Sequence, residues 1–256
     1  HGAPARANDA RRELRLQEVV SVASLLQRDG ARNFEAALAG KCALHQAIRG
    51  IVPMRSAPDA SRGQATEMLH GETITVYEVK DGWAWGQLTT DGYVGYVEAA
   101  ALSDRIAMPT HRIRAFRAFL YPVPDFKRPP VRALSFRSPV EVVETEKGYA
   151  RIREAGEPGG WVPEVALGPL DAVEPDAVAT AQRFLGVPYL WGGRSSLGID
   201  CSGLAQLACA AAGHAIERDT YRQAQTAATL VGTDESAELR RGDLVYFPGH
   251  VGLMMD

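Results

Sequence analysis

The sequence predicts a multidomain chain: two small all-β barrels, then an α+β unit, with a short helical segment in front. Three observations predict this architecture. An apolar stripe of helical period runs through residues 8–28. A strand-like pattern recurs at a fixed offset through the middle of the chain. After Val173 the pattern changes to short helices, aromatic turns and a final hairpin. The boundaries that follow are 1–49 for the helical segment, 50–108 and 109–171 for the barrels, and 172–256 for the last unit.

In the first segment Leu14, Leu16, Val19, Val20, Ala23 and Leu26 approximate one face, and Arg11, Arg12, Glu13 and Arg15 stand off it. Asn8 is placed to cap this helix and Asp29-Gly30 to stop it. Residues 33–48 read as helical or mixed, and Cys42 and His45 within them as structural.

Next comes the repeat. Ile74, Val76, Glu78, Gly82 and Ala84 return 66 positions later as Val140, Val142, Glu144, Gly148 and Ala150. Gly95-Tyr96-Val97 with Leu102 returns as Gly160-Trp161-Val162 with Leu167, one residue short of that offset. Alternation within Thr73–Val79 and Pro139–Val142 marks half-buried strands, and Asp81-Gly82, Asp91-Gly92 and Lys147-Gly148 mark turns. The first copy has an aromatic surplus in Trp83, Trp85, Tyr93 and Tyr96. Alternation puts Trp83 and Trp85 on one face and Ala84 on the other.

In the last unit, Asp176–Leu185 reads as a short helix closed by Gly186, followed by the aromatic loop Pro188-Tyr189-Leu190-Trp191-Gly192-Gly193. A second helix opens at Cys201 and stops at Gly213, with Asp200 as its N-cap. A cysteine in a first helical turn faces unpaired amides and the positive end of the helix dipole, both of which favour the nucleophilic thiolate. Cys209, eight residues on among alanines, reads as a packing residue. A thiol nucleophile needs a base, and the best placed is His250. Leu244–Phe247 is a buried-strand run, Pro248-Gly249 a turn, and His250 opens the second strand of that hairpin. His70, His111 and His214 lack such a setting and read as structural.

Composition narrows the function. The chain has 256 residues and a net charge of −3, with 46% hydrophobic and 23% charged residues, which is ordinary for a globular protein. Near-neutral charge argues against a nucleic-acid partner. No run approaches the ~20 apolar residues of a membrane span. Three cysteines, an odd number, argue against a disulfide framework. No Cys-x-x-Cys or His-x-x-x-His pair suggests a zinc site, and no metal or organic cofactor is expected.

Two resemblances sharpen the reading. The repeated units, with their Gly-aromatic-Val ends, resemble bacterial SH3-like domains. Asp200-Cys201-Ser202-Gly203-Leu204, Arg240–Phe247, and Gly249-His250-Val251-Gly252 resemble the signature blocks of the NlpC-type (NlpC/p60) cell-wall cysteine peptidases, and Pro188–Gly193 the block before them. That resemblance implies a papain-like α+β fold and hydrolysis of peptidoglycan stem peptides between D-γ-glutamate and the diamino acid. The substrates would be peptides with a free N-terminal L-alanine.

It also implies roles for particular residues. Cys201 would be the nucleophile and His250 the general base. Tyr189 would line the oxyanion region, and Asp200 and Ser202 would recognise the substrate amine. Tyr96 and Trp85 would wall the cleft from the first barrel. The family orients its histidine with a third polar residue on a later strand. Only six residues follow His250, so that residue is expected beyond Asp256 and the natural chain is expected to continue. A related amidase or acyltransferase, and a non-catalytic peptidoglycan-binding protein with a relic peptidase domain, are the alternatives. Free-thiol chemistry favours the cytoplasm, where wall peptides are recycled, over the envelope. The partner is peptidoglycan or its peptides, and the oligomeric state is left open.

Overall fold

Seven strands build the first β unit: β1 (Ala43–Ala47), β2 (Ile51–Arg55), β3 (Gln64–Leu69), β4 (Thr73–Lys80), β5 (Trp83–Leu88), β6 (Val94–Glu98) and β7 (Leu102–Ser103). They pair in the order β3-β2-β6-β5-β4-β1-β7. The computed structural model describes residues 42–155, 157–226 and 239–256, so the expected helix over 8–28 lies outside the described residues. Alternation works as the sequence suggests: Ile74 and Val76 of β4 point into the core while Thr73, Thr75 and Tyr77 stand at its edge. Strand β1 is a correction, because its residues read as helical or mixed. It pairs antiparallel with β4 from Ala43↔Val76 to Gln46↔Thr73. The buried Gln46 amide is fixed through Gly71 O, Ala107 O and Ala107 N. A long-range ladder here overrides the local preference of an alanine-rich run.

The second β unit comprises β8 (His111–Ile113), β9 (Arg117–Leu120), β10 (Arg132–Ser135), β11 (Pro139–Val140), β12 (Val142–Glu146), β13 (Tyr149–Glu154), β14 (Glu157–Pro163) and β15 (Leu167–Pro169). Its ladders are β11-β8-β15, β10-β9 and β12-β13-β14. The sequence repeat is also a repeat of packing. The core of the first unit contains Ala47, Val52, Met54, Met68, Ile74, Ala84, Val97 and Ala101. The core of the second contains Ile113, Ala118, Leu120, Leu134, Val140, Ile152, Val162 and Ala166. Met54 and Leu120, Met68 and Leu134, and Ile74 and Val140 are such equivalents.

One exchange is complementary. Gly86 leaves room for Ile74, whose Cδ1 would stand 2.8 Å from an added Cβ. In the second copy the smaller Val140 leaves room for Ile152. Backbone bonds repeat as well. Ala47 N donates to Glu72 O and Gly71 N to Ala47 O; Ile113 N donates to Ser138 O and Arg137 N to Ile113 O. In both copies a 3-10 turn, Ala99–Ala101 or Glu164–Ala166, follows the Gly-aromatic-Val strand.

His70, whose counterpart in the second copy is Phe136, is buried at 4% exposure, and its Nδ1 has no partner among the described residues. Burial first, and the Arg132 charge second, push its pKa down to about 4. The Glu154 carboxylate, 4.0 Å from Nε2, does not reverse this. A histidine whose folded pKa lies below its unfolded value contributes stability above the unfolded pKa and loses it as the pH falls toward the folded one. The unfolding free energy should therefore fall by about 2–3 kcal/mol between pH 7 and 4.5 on this account. Denaturant titrations of wild type and His70→Phe check it: equal pH slopes for the two would refute the assignment.

The last unit packs against both β units. Helix α1 (Ala177–Gln182) is capped by Asp176, whose carboxylate accepts from Ala179 N. The short ribbon β16 (Arg194–Ser195) and β17 (Gly198–Ile199) leads into α2 (Cys201–Ala211), and α3 (Thr220–Thr226) follows. The hairpin β18 (Leu244–Phe247) and β19 (His250–Leu253) closes the described chain, with Phe247 paired to His250 and β19 against α2. The expectation of a buried β18 needs correcting: Leu244–Tyr246 are half-buried and Phe247 is exposed. Among the described residues this hairpin has two strands, so β18 has a neighbour on one side only. Phe136 of the second unit, Phe184, Ile199, Leu207 and Ala211 form the core shared with the last unit, and the Phe116 ring meets Phe184 edge-on at 5.0 Å.

Candidate active site

Helix α2 begins where the sequence says it should. The Asp200 carboxylate accepts from Gly203 N at 2.7 Å, and Leu204 N makes the first intrahelical bond to Asp200 O at 2.9 Å. The amides of Cys201 and Ser202 therefore lie ahead of that ladder, at the positive end of the helix. Gly203 is required by packing: an added Cβ would stand 2.4 Å from Gly193 O. The helix start is thereby pressed against the aromatic loop, and this is what brings Tyr189 to Cys201.

Cys201 is half-buried, and its Sγ lies 3.9 Å from Thr220 Oγ1 at the start of α3. Burial, then the negative charges of Cys201 and Asp200 and a hydrogen bond with the Cys201 sulfur, hold the Tyr189 hydroxyl above the usual phenol range. Tyr189 is otherwise exposed, so one edge of its ring faces the thiol and the rest faces solvent. His250 stands exposed at the start of β19, its ring 6.4 Å from that of Phe247. The hairpin thus sets His250 on the strand that packs on the cysteine helix.

Asp200 and Ser202 sit deeper than a substrate-facing pair, at 8% and 6% exposure. Behind them lies Arg218, which sequence reasoning missed. It is 2% exposed and every N–H of its guanidinium is used. Nη1 donates to Asp200 Oδ1 at 2.9 Å and to Ser202 Oγ at 2.9 Å. Nη2 donates to Asp200 Oδ2 at 2.8 Å and to Gly193 O at 3.3 Å. Nε donates to Thr66 Oγ1 of the first β unit at 2.9 Å. Asp200 Oδ2 also accepts from Gly192 N at 2.9 Å. The Asp200 carboxylate is therefore committed to the protein, as N-cap, loop anchor and guanidinium partner at once.

Asp219, next in sequence to Arg218, is the more open acid. Burial, and after the opposing pull of Arg218 the neighbouring Asp200 and Asp91 charges, raise its pKa above the usual carboxylate range. Tyr93 of the first unit faces the same group: burial, then the Asp219 charge, push its hydroxyl well above the usual phenol value. Of the aromatic surplus, Tyr93 is thus the ring beside the acidic cluster. Trp85 and Tyr96, the expected wall, pair across β5 and β6 with ring centroids 4.6 Å apart, and Trp85 is buried at 3% exposure. Trp85 is therefore corrected from a cleft surface to a packing residue, while Tyr96 is half-buried beside it. A signal for the missed residues was present in Glu217-Arg218-Asp219-Thr220, a charged run ending at a helix start, although its burial could not be read locally.

Among the described residues no group of three or more His, Cys, Asp or Glu is arranged to hold a metal, and no helix is long and apolar enough to cross a membrane. Arg194 ties the last unit to the first β unit as well: it forms a buried pair with Glu72 at 2.7 and 3.0 Å, and its amide donates to Glu67 Oε2 at 2.9 Å.

A small β module clamped by a buried ion pair to an α+β unit, with a helix-start cysteine near their junction, defines a modular cysteine-centred protein. Comparison with known proteins makes the class particular. Residues 54–102 match the model of the bacterial dipeptidyl-peptidase Sh3 domain, and residues 186–256 match that of the NlpC/P60 family. The last unit is therefore similar to the NlpC/P60 family. It is 34% identical over 119 residues to dipeptidyl-peptidase 6 of Lysinibacillus sphaericus, covering 45% of this chain and 40% of that protein. It is 30% identical over 196 residues to the γ-D-glutamyl-L-lysine dipeptidyl-peptidase of Bacillus subtilis (strain 168), covering 71% of this chain and 63% of that one. The chain thus spans less than two thirds of the length of these curated relatives. The crystal structure of an NlpC/P60 family protein from Bacillus cereus ATCC 10987 shares the fold, with a TM-score of 0.71 at 20% identity over 84% of this chain and 88% of that one.

Proposed function

We propose that this chain is a cysteine peptidase of peptidoglycan stem peptides that cleaves the γ-D-glutamyl–diamino acid bond of peptides with a free N-terminal L-alanine. The observation that carries the reading is Cys201 in the first turn of α2, with the Tyr189 hydroxyl at its sulfur. The names of the curated relatives supply the substrate class. In this mechanism the Cys201 thiolate attacks the γ-glutamyl carbonyl and its oxygen takes the negative charge. The amides at the start of α2 and the Tyr189 hydroxyl stabilise that oxyanion. His250, holding the thiol's proton, passes it to the departing amine as the C–N bond breaks. Water then attacks the thioester, releases L-alanyl-D-glutamate and restores the thiol.

The substrate ammonium needs an acceptor near the thiol. The committed state of Asp200 supports Asp219 in that role, with Tyr93 beside it and Asp200 and Ser202 holding the frame from behind. The domain plan that fits is 43–108, 109–171 and 172–256. The second β unit is proposed to be a second SH3-like barrel on the strength of its repeated core, and the last unit to be papain-like.

The test is release of L-Ala-D-Glu from the tripeptide L-Ala-γ-D-Glu-diamino acid, beside the same peptide acetylated at its amine. Acetylation is expected to lower kcat/KM about 100-fold or more, because it removes the charge and leaves a half-buried carboxylate unpaired. Equal cleavage of the two peptides would remove amine recognition. No cleavage of either peptide would remove the peptidase reading.

A further inference from the structure

A cavity of about 420 Å³ lies where the two β units and α2 meet, a volume typical of small-molecule sites. Three guanidinium groups, Arg112, Arg137 and Arg194, line it. Arg194 is paired with Glu72, yet among the described residues its Nε is buried without a partner, and so is Nε of Arg112. Glu174, the acid that acts on Arg137 from the last unit, is itself bridged to Arg114 and Arg183. Asp171 acts in the same way on Arg112. Burial and the charges of Arg112 and Arg194 push the Arg137 guanidinium down to about 10, against the opposing pull of Glu72 and Glu174.

The repeat makes Arg137 conspicuous. Its counterpart in the first copy is Gly71, and both residues are left-handed, at φ 80° for Gly71 and 69° for Arg137. Glycine takes that conformation without strain, whereas arginine there costs about 1 kcal/mol or more. The remaining wall is largely apolar, with Ile106, Met108, Leu170 and Leu207.

We propose that this cavity is a binding site, separate from the cysteine cleft, for a small organic oxyanion: a carboxylate or phosphate group on an apolar body, with the charged end at Arg137 and Arg112. Calorimetric titration with octanoate, octyl phosphate and octanol tests it and tells the two anion chemistries apart. One-to-one binding of at least one of the anions, about tenfold or more tighter than octanol, is expected. Arg137→Gln should bring that anion to the level of octanol. Met108→Trp, at an exposed rim position, should block it whether or not Arg137→Gln folds. Protein alkylated at Cys201 should bind as before. Equal binding of octanol, no binding of either anion, binding indifferent to Met108→Trp, or binding lost on alkylation of Cys201 would each overturn the site.

Discussion

Cys201→Ala should lower dipeptide release by about 10⁴-fold or more, the usual consequence of deleting a covalent nucleophile whose partners act with it as a unit. The loss should fall on kcat rather than on substrate binding, because the acid cluster and Tyr93 beside it stay in place. The substitution is mild for the fold. Alanine is a good helix former at the first position of α2, the Asp200 cap uses the Gly203 amide, and the Cys201 sulfur's partners are the long contact to Thr220 and the largely exposed Tyr189 hydroxyl. Circular dichroism and the denaturation midpoint should therefore stay close to wild type while turnover disappears. Cys209 provides the contrast. It is half-buried on the same helix and burial pushes its thiol above the ordinary range, so Cys209→Ala should keep turnover within about twofold. Turnover by Cys201→Ala within tenfold of wild type, with its fold intact, would end the thiol mechanism.

The parts of this site that were legible in sequence are those built locally. Asp200-Cys201 announces a capped helix start because cap, nucleophile and first turn are adjacent, and Pro248-Gly249 announces the turn that sets His250 because hairpins are short-range devices. The repeat was legible for a related reason: equivalent core positions need equivalent residues, and the offset brings Met54 onto Leu120 and Met68 onto Leu134. What was not legible depends on pairing across the fold. β1 is a strand because β4 offers it a ladder. Trp85 is buried and Tyr93 faces the acids, although alternation alone leaves their surroundings open. Arg218 in sequence is one charge in a charged run. Only the meeting of α2, the Gly193 loop and Thr66 makes it a fully buried hub.

That hub predicts the largest change in stability. Arg218→Met keeps much of the side chain's length and removes its charge, which strands the Asp200 carboxylate at 8% exposure with only amide and hydroxyl donors. Breaking one side of a buried pair costs about 3–5 kcal/mol, mainly through the charge left behind. The remedy follows from the same physics. Asn at position 200 still offers an oxygen to Gly203 N for the helix cap but carries no charge. The double variant Asp200→Asn/Arg218→Met should therefore regain a substantial part of the loss, a coupling of about 2 kcal/mol or more in a double-mutant cycle. Urea denaturation of the four proteins measures it. Activity should separate from stability in this series. Even when the double variant folds well, the Gly193 carbonyl and the Ser202 hydroxyl lose their guanidinium donor, the loop that carries Tyr189 loses its anchor, and kcat should remain at least about tenfold down. Additive stabilities, with no coupling between positions 200 and 218, would mean that the pair does not organise the start of the cysteine helix.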